Sequence, residues 1–246
     1  MKVVAVIPAR FGATRFPGKL LKKLGQHSVI ATTYLAVKKS NLFDEVIVAA
    51  DDLKIIQDIE GVGGKAVMTS PHHASGSDRI AEVIQDMDAD VVVNVQGDEP
   101  FTATKALASL IDVFKKDEDK KVDVATLMEK MESKEDIQNP NNVKVVVANN
   151  MDALYFSRSV IPFVRDIDSS VEYYKHVGIY AYRKKALLDF TQLAPGTLEK
   201  AEKLEQLRYL ENGYRLKVVE TPFKTIGIDT PEDLEEARVY LANLEQ

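Results

Sequence analysis

Residues Pro8–Lys19 read PARFGATRFPGK and concentrate three cations, Arg10, Arg15 and Lys19, with two glycines, Gly12 and Gly18. Glycine lets backbone approach a ligand closely, and successive amides can form a nest for an anion. The cations supply the charge that a polyphosphate requires. The spacing is neither GxxxxGK[ST] nor GxGxxG, which argues against a P-loop NTPase or a dinucleotide fold. The same composition also describes a polar surface loop in which cations happen to cluster.

A second segment, Asn94–Pro100, reads NVQGDEP. Asp98 and Glu99 present hard oxygen donors after an apolar run. Mg²⁺ needs only one or two carboxylates when phosphates and waters complete its octahedron. The bland alternative is an acidic turn before a helix. Asp229, in IGIDTPEDL, is a further carboxylate, although Asp229 and Thr230 would equally serve as a helix cap. In Thr69–Arg79, TSPHHASGSDR, small polar residues precede a helix and leave its first amides available to an anion or a base edge. His72 and His73 lie here without a third histidine nearby, so they read as hydrogen-bonding loop residues and not as metal ligands. Arg158, His176 and Tyr180 suit the polar end of a second pocket, or simply aromatic core with a surface arginine.

The elements that must position these groups alternate in the first half. Lys2–Ile7, Glu45–Ala50, Lys65–Met68 and Asp90–Val95 are short, near-continuous apolar runs, as expected of parallel strands covered on both faces. Ser28–Ser40, Leu53–Glu60 and Ser77–Met87 carry helical spacing between them. Such a sheet binds ligands outside the carboxyl ends of its strands, where the three unusual segments fall. Farther on, Asp117–Lys121 reads as a solvated charge run. Val143–Ala148, Leu154–Phe156 and His176–Tyr182 read as strands, and Leu198–Glu211 as one helix. Thr230-Pro231-Glu232-Asp233 reads as the start of a last helix.

The chain has 246 residues and no cysteine, which removes a disulfide framework, a thiolate zinc site and a Cys nucleophile. Its net charge of −6 disfavours nucleic acid as a partner. The first apolar run stops at Pro8 and is too short for a signal peptide or a membrane span. The expectation is a cytoplasmic protein without membrane insertion.

In order along the chain, IPAR..ATRFPGK (7–19), H.SG..R (73–79), VNVQGDEP (93–100), NPN.VKVV (139–146), ALYFSR..IP (153–162), H.GIYAYR (176–183), LE..E.LEQLR (198–208) and GIDTPEDL (227–234) together resemble the 3-deoxy-manno-octulosonate cytidylyltransferase family. The resemblance implies a single α/β domain over 1–246 with a Rossmann-like, glycosyltransferase-A-like, mostly parallel twisted sheet. Residues 1–116 would be mainly nucleotide-binding, about 122–220 sugar-binding and dimer-forming in a smaller inserted sheet region, and 221–246 would return to the main sheet. It implies a homodimer that joins CTP to 3-deoxy-manno-octulosonate (Kdo), or its 8-amino form, with Mg²⁺.

By motif, Arg10, Arg15 and Lys19 would hold the triphosphate, and Asp98 and Asp229 the metal. Pro8, Ala9, Arg10, Thr69, Ser75, Gly76 and Arg79 would meet the nucleotide, and Gln96, Arg158, His176, Tyr180 and Glu205 the sugar acid. Two positions depart from the family pattern. Ala13 stands where serine is usual, and Ser77-Asp78 where Thr-Glu is usual. A related glycosyltransferase fits the cation-rich loop less well than an enzyme using a nucleoside triphosphate. A non-catalytic binding module fits poorly with Arg10, Lys19, Asp98 and Asp229 all present.

Overall fold

The computed structural model describes residues 1–12, 16–166, 171–223 and 227–244. The chain divides into two compact units, Met1–Ala108 with Thr225–Gln246, and Ser109–Lys224.

The first unit is built on strands β1 (Val3–Ala9), β4 (Glu45–Ala50), β5 (Ala66–Met68) and β6 (Val91–Asn94), with a small antiparallel hairpin of β2 (Lys23–Leu24) and β3 (His27–Ser28). The four main strands are parallel in the order β6-β1-β4-β5. Val4 to Ile7, Ile47 to Ala50 and Val91 to Val93 are fully buried, so the apolar runs form the core of the sheet. Because β4 and β6 lie on opposite sides of β1, the strand order switches there, the usual place for a ligand crevice. The β1–β6 ladder stops at Val6↔Asn94, whereas β1 continues against β4 to Ala9. Pro8, which has no N–H to donate, sits beyond the end of that ladder.

Helices α1 (Val29–Lys39), α2 (Leu53–Gly61) and α3 (Gly76–Ile84) start on side-chain caps. The Ser28 hydroxyl accepts from the Ala31 amide, Asp52 from the Lys54 amide, and Ser75 from the Asp78 amide. Each cap satisfies an amide that the first helical turn leaves without a partner. Ile55 and Ile59, and Ile80 and Ile84, then turn one face of α2 and α3 into the core. Helix α4 (Thr104–Lys116) carries the chain onward.

The second unit contains β7 (Val124–Met131), α5 (Lys134–Gln138), β8 (Lys144–Val147), β9 (Ala153–Ser157), β10 (Tyr173–Arg183), α6 (Lys184–Gln192), α7 (Thr197–Glu202), α8 (Gln206–Glu211) and β11 (Leu216–Glu220). Strand β7 pairs antiparallel with β10 and parallel with β11, while β8 pairs antiparallel with β10 and β9. The chain then returns to the first unit and ends its regular structure in α9 (Pro231–Leu244).

The pairing of β7 and β10 slips between Val177 and Tyr180, which face the consecutive residues Leu127 and Thr126. Strand β10 thus spends two residues more than its partner. An even excess leaves the alternation of faces intact, and Val177, Ile179 and Ala181 all stay buried.

Two expectations change. Leu198–Glu211 is two helices, α7 and α8, because Lys203 adopts the left-handed conformation (φ 55°) and ends the first. That break lets Leu204 and Leu207 both be buried while Glu202 turns toward β9. Asp117 is no solvated charge: its carboxylate accepts from the amides of Lys121 and Val122 and pairs with Arg183 at 2.6 Å. Strands β7 and β11 and helix α6 were not anticipated from the sequence pattern.

Candidate active site

At the carboxyl ends of β1 and β6 the first unit opens into a cleft of about 340 Å³. Pro8 and Ala9 line it from the end of β1, Arg10, Gly12 and Lys19 from the segment that follows, Ser75, Gly76 and Arg79 from the start of α3, and Gln96, Asp98 and Asp229 from the remaining segments.

At its centre Lys19 Nζ donates to Asp98 Oδ2 and, at 2.9 Å, to Asp229 Oδ1. Burial alone would lower the ammonium's pKa, but the two carboxylates outweigh it and hold Lys19 above the usual lysine value. Each member is fixed by local backbone chemistry. Gly18, at φ 66°, makes the left-handed turn that starts the short 3₁₀ turn Lys19–Leu21. Gly97 is required by packing, since a Cβ there would stand 2.8 Å from Ile30 and 3.1 Å from the Pro8 carbonyl. The Ile228 amide donates to the Asp98 carbonyl, tying the two carboxylate-bearing segments together.

The alternative role of Asp229 as a helix cap is filled by its neighbours. Thr230 Oγ1 accepts from the Asp233 amide, and the Asp233 carboxylate accepts from the amides of Asp229 and Thr230 at 2.8 Å. The Asp229 side chain is therefore turned to Lys19. Two converging carboxylates provide a hard oxygen donor set of the kind Mg²⁺ uses alongside phosphate and water. Among the described residues, no group of three or more His, Asp or Glu stands ready to hold a metal by protein ligands alone.

Helix α3 presents its N-terminus to the cleft. The departure at Asp78 has a role here: its carboxylate accepts from the Ser75 amide (3.1 Å) and hydroxyl (2.9 Å), completing a capping box. Arg79 is only 3% exposed and pairs with Asp51 Oδ2 at 3.1 Å and with the Thr69 hydroxyl. Thr69 is buried, donates to the Ala50 carbonyl, and is not part of the cleft wall. Asp51 Oδ1 also accepts from the Phe11 amide at 2.9 Å, so one carboxylate holds both the first loop and Arg79. Sequence reasoning missed Asp51, although it follows β4 just as the other candidates follow their strands. His73 pairs with Glu82, whose carboxyl that contact and the Ser70 amide hold below its usual range. Ala13 and Arg15 lie outside the described residues.

The other sugar candidates belong to the second unit. Arg158 follows β9 and is tightly held: its Nε donates to the Glu202 carbonyl, Nη1 to the Pro140 carbonyl, and its amide to the Glu202 carboxylate. The fully buried Lys144 closes this corner, donating to the carbonyls of Asn139, Asn142 and Arg158 at 2.6–3.1 Å. Burial pushes the Lys144 ammonium below its usual value. On β10, His176 meets Phe156 edge-on and Tyr180 at a tilt, and Tyr180 stacks on Tyr182. Burial, then Tyr182 and Glu205, push the Tyr180 hydroxyl well above its ordinary value, so it remains a hydrogen-bond donor. Glu205 stands at the head of α8.

Comparison with known proteins gives the class first. A family profile described as Cytidylyltransferase matches residues 4–238, which makes the chain a nucleotidyltransferase. The 3-deoxy-manno-octulosonate cytidylyltransferase of Flavobacterium johnsoniae is 55% identical over 99% of this chain and 100% of its own. That of Christiangramia forsetii is 52% identical over 98% of this chain and 97% of its own. A solved structure of CMP:2-keto-3-deoxy-manno-octonic acid synthetase complexed with CTP superposes with a TM-score of 0.94 at 40% identity, covering 99% of this chain and all of that one. The chain belongs to the 3-deoxy-manno-octulosonate cytidylyltransferase family.

Proposed function

We propose that this chain transfers the cytidylyl group of CTP to 3-deoxy-manno-octulosonate, releasing pyrophosphate and forming the CMP-sugar used in lipopolysaccharide synthesis. The observation that carries the reading is the Lys19–Asp98–Asp229 cluster, set in a cleft that also holds Arg10 and the start of α3. The bond formed joins the sugar's anomeric oxygen to the α-phosphorus, and the bond broken joins that phosphorus to the departing pyrophosphate. The hydroxyl proton goes to solvent.

Positioning and charge neutralisation do most of the work in such a displacement. Asp98 and Asp229 would hold Mg²⁺, which when bound supplies charge for the phosphates and acidifies the attacking hydroxyl. Arg10 and Arg15 would bind the triphosphate. With the carboxylates engaged by a divalent cation, the Lys19 ammonium is left to offset charge growing on the leaving pyrophosphate. Pro8, Ala9, Ser75 and Gly76 would bound the nucleotide, with Thr69 and Arg79 supporting that wall. Gln96, Arg158, His176, Tyr180 and Glu205 would meet the acid sugar.

Two wider features belong to the same proposal. The exposed apolar residues Leu154, Val160, Phe163 and Val171 support pairing of two copies through the second unit. A CTP-consuming enzyme without a helix long and apolar enough to cross a membrane, among the described residues, fits the cytoplasm.

The test is pyrophosphate release with Mg²⁺ and CTP, comparing Kdo, 8-amino-Kdo and a sialic acid. Release with Kdo at the highest kcat/KM is expected. A higher kcat/KM for 8-amino-Kdo would change the sugar, and no release with any of the three would overturn the reading.

A further inference from the structure

The two extra residues in β10 leave its backbone carbonyls out of step with β7, and a side chain answers them. Thr126 is fully buried on β7. Its hydroxyl oxygen lies 3.1 Å from the Val177 carbonyl, 2.9 Å from the Ile179 carbonyl and 3.0 Å from His176 Nε2.

A hydroxyl has one proton and two lone pairs, and a carbonyl can only accept. If Thr126 gave its proton to His176 Nε2, both carbonyls would face its lone pairs at hydrogen-bond distance with nothing between them. If the proton goes to a carbonyl, the hydroxyl is free to accept from an Nε2–H. The second arrangement makes two hydrogen bonds where the first makes one, and leaves one carbonyl instead of two facing a lone pair.

From this geometry we propose that Thr126 is a positioning residue: it fixes His176 as the Nε2–H tautomer and so presents Nδ1 as a hydrogen-bond acceptor for a hydroxyl of the acceptor sugar.

No hydrogen bond to Nδ1 is made among the described residues, and His176 as a whole keeps part of its surface exposed. Phe156, Tyr180 and Thr126 lie against the ring, none of them charged. Burial, reinforced by the positive charge of Lys175, lowers the imidazole to about 3. His176 thus meets the sugar uncharged, which leaves recognition of the sugar's carboxylate to other groups. A ring with a fixed acceptor rejects an analogue that lacks the matching hydroxyl more strongly than an apolar surface does. The sugar-hydroxyl part of this inference rests on the function proposed above; the tautomer does not.

The test uses the full chain labelled with ¹⁵N-histidine. His27, His72, His73 and His176 are the four imidazoles, and His176→Asn assigns the last. Long-range ¹H–¹⁵N correlation is expected to show His176 protonated at Nε2 and bare at Nδ1 at neutral pH. Thr126→Val should abolish that bias and lower kcat/KM for the sugar about tenfold, the scale of one lost hydrogen bond, with the KM for CTP unchanged. Thr126→Ser should restore both. An Nδ1–H ring in the wild type would overturn the assignment, as would a Thr126→Val variant keeping both the tautomer and full sugar kcat/KM. If the valine variant does not fold, the wild-type and serine spectra still decide. Should no acid sugar be turned over while His176 shows the Nε2–H form, the functional reading fails and the tautomer stands.

Discussion

The two units present their candidate polar groups by opposite means. In the first, the candidate groups are ionised and stand on loops at the ends of parallel strands, and two carboxylates and an ammonium hold one another in place. In the second, His176, Tyr180 and Thr126 are uncharged and stand on the strands themselves, held by a bulge and by ring contacts. A triphosphate needs strong charge that can be repartitioned as a bond breaks. A sugar needs fixed donors and acceptors whose spacing does not move. Loops suit the first task and sheet faces the second.

If this contrast is right, damage to the charged cluster should strike kcat and damage to the strand face should strike recognition. The largest effect is expected for Asp98→Asn, with kcat for pyrophosphate release falling by about 10³-fold or more at saturating Mg²⁺. Lys19→Ala should lower kcat by about 10²–10³-fold with the KM for sugar nearly unchanged. A near-wild-type kcat in either variant would dissolve the cluster's assigned role.

Asp51→Asn tests the carboxylate that holds both the Phe11 amide and Arg79. Asp51 is the carboxylate partner of the buried Arg79, so losing its charge should cost about 3 kcal/mol in denaturant unfolding. Arg158→Lys should raise the KM for the acid sugar about tenfold while sparing that for CTP, since lysine cannot keep both carbonyl contacts of the guanidinium. An equal loss of CTP affinity would move Arg158 to the nucleotide side and blur the contrast.

A further effect is expected on acid stability. The imidazole of His176 is lower in the folded chain (about 3) than its ordinary value of 6.5, so the unfolded chain takes up the proton first. The stabilisation is complete above about pH 6.5 and declines as pH falls toward 3. Thermal unfolding followed across that range should show a shallower acid limb in His176→Leu than in the wild type.

The first unit was the more legible in the sequence. Parallel strands buried on both faces announce themselves as runs such as VVAVI and VIVAA, and their carboxyl ends told where to look. Asp51 carries the same signal, but its neighbour Asp52 is the cap of α2, and nothing in the sequence separates the two carboxylates. The second unit was harder. Strand β7 mixes buried Leu127 and Met128 with Glu129 and Lys130, so no clean alternation marks it. The break at Lys203 depends on one left-handed residue that sequence does not favour there. Thr126 acts only because β10 carries two extra residues, and that excess belongs to the pairing of two distant segments, not to either segment alone.

The hydrogen bond between Lys19 and Asp229 spans 210 positions of sequence, and the whole of the second unit lies between them. Chains are made from the amino end, and domains tend to fold as they emerge. Here the strands of the first unit can assemble early, but its Lys19–Asp98–Asp229 cluster cannot close until the entire second unit has been synthesised. A nascent chain that already displays the cation-rich loop and Asp98 still lacks its second carboxylate. The order of the residues therefore makes the Lys19–Asp229 contact one of the last long-range contacts that a growing chain can form.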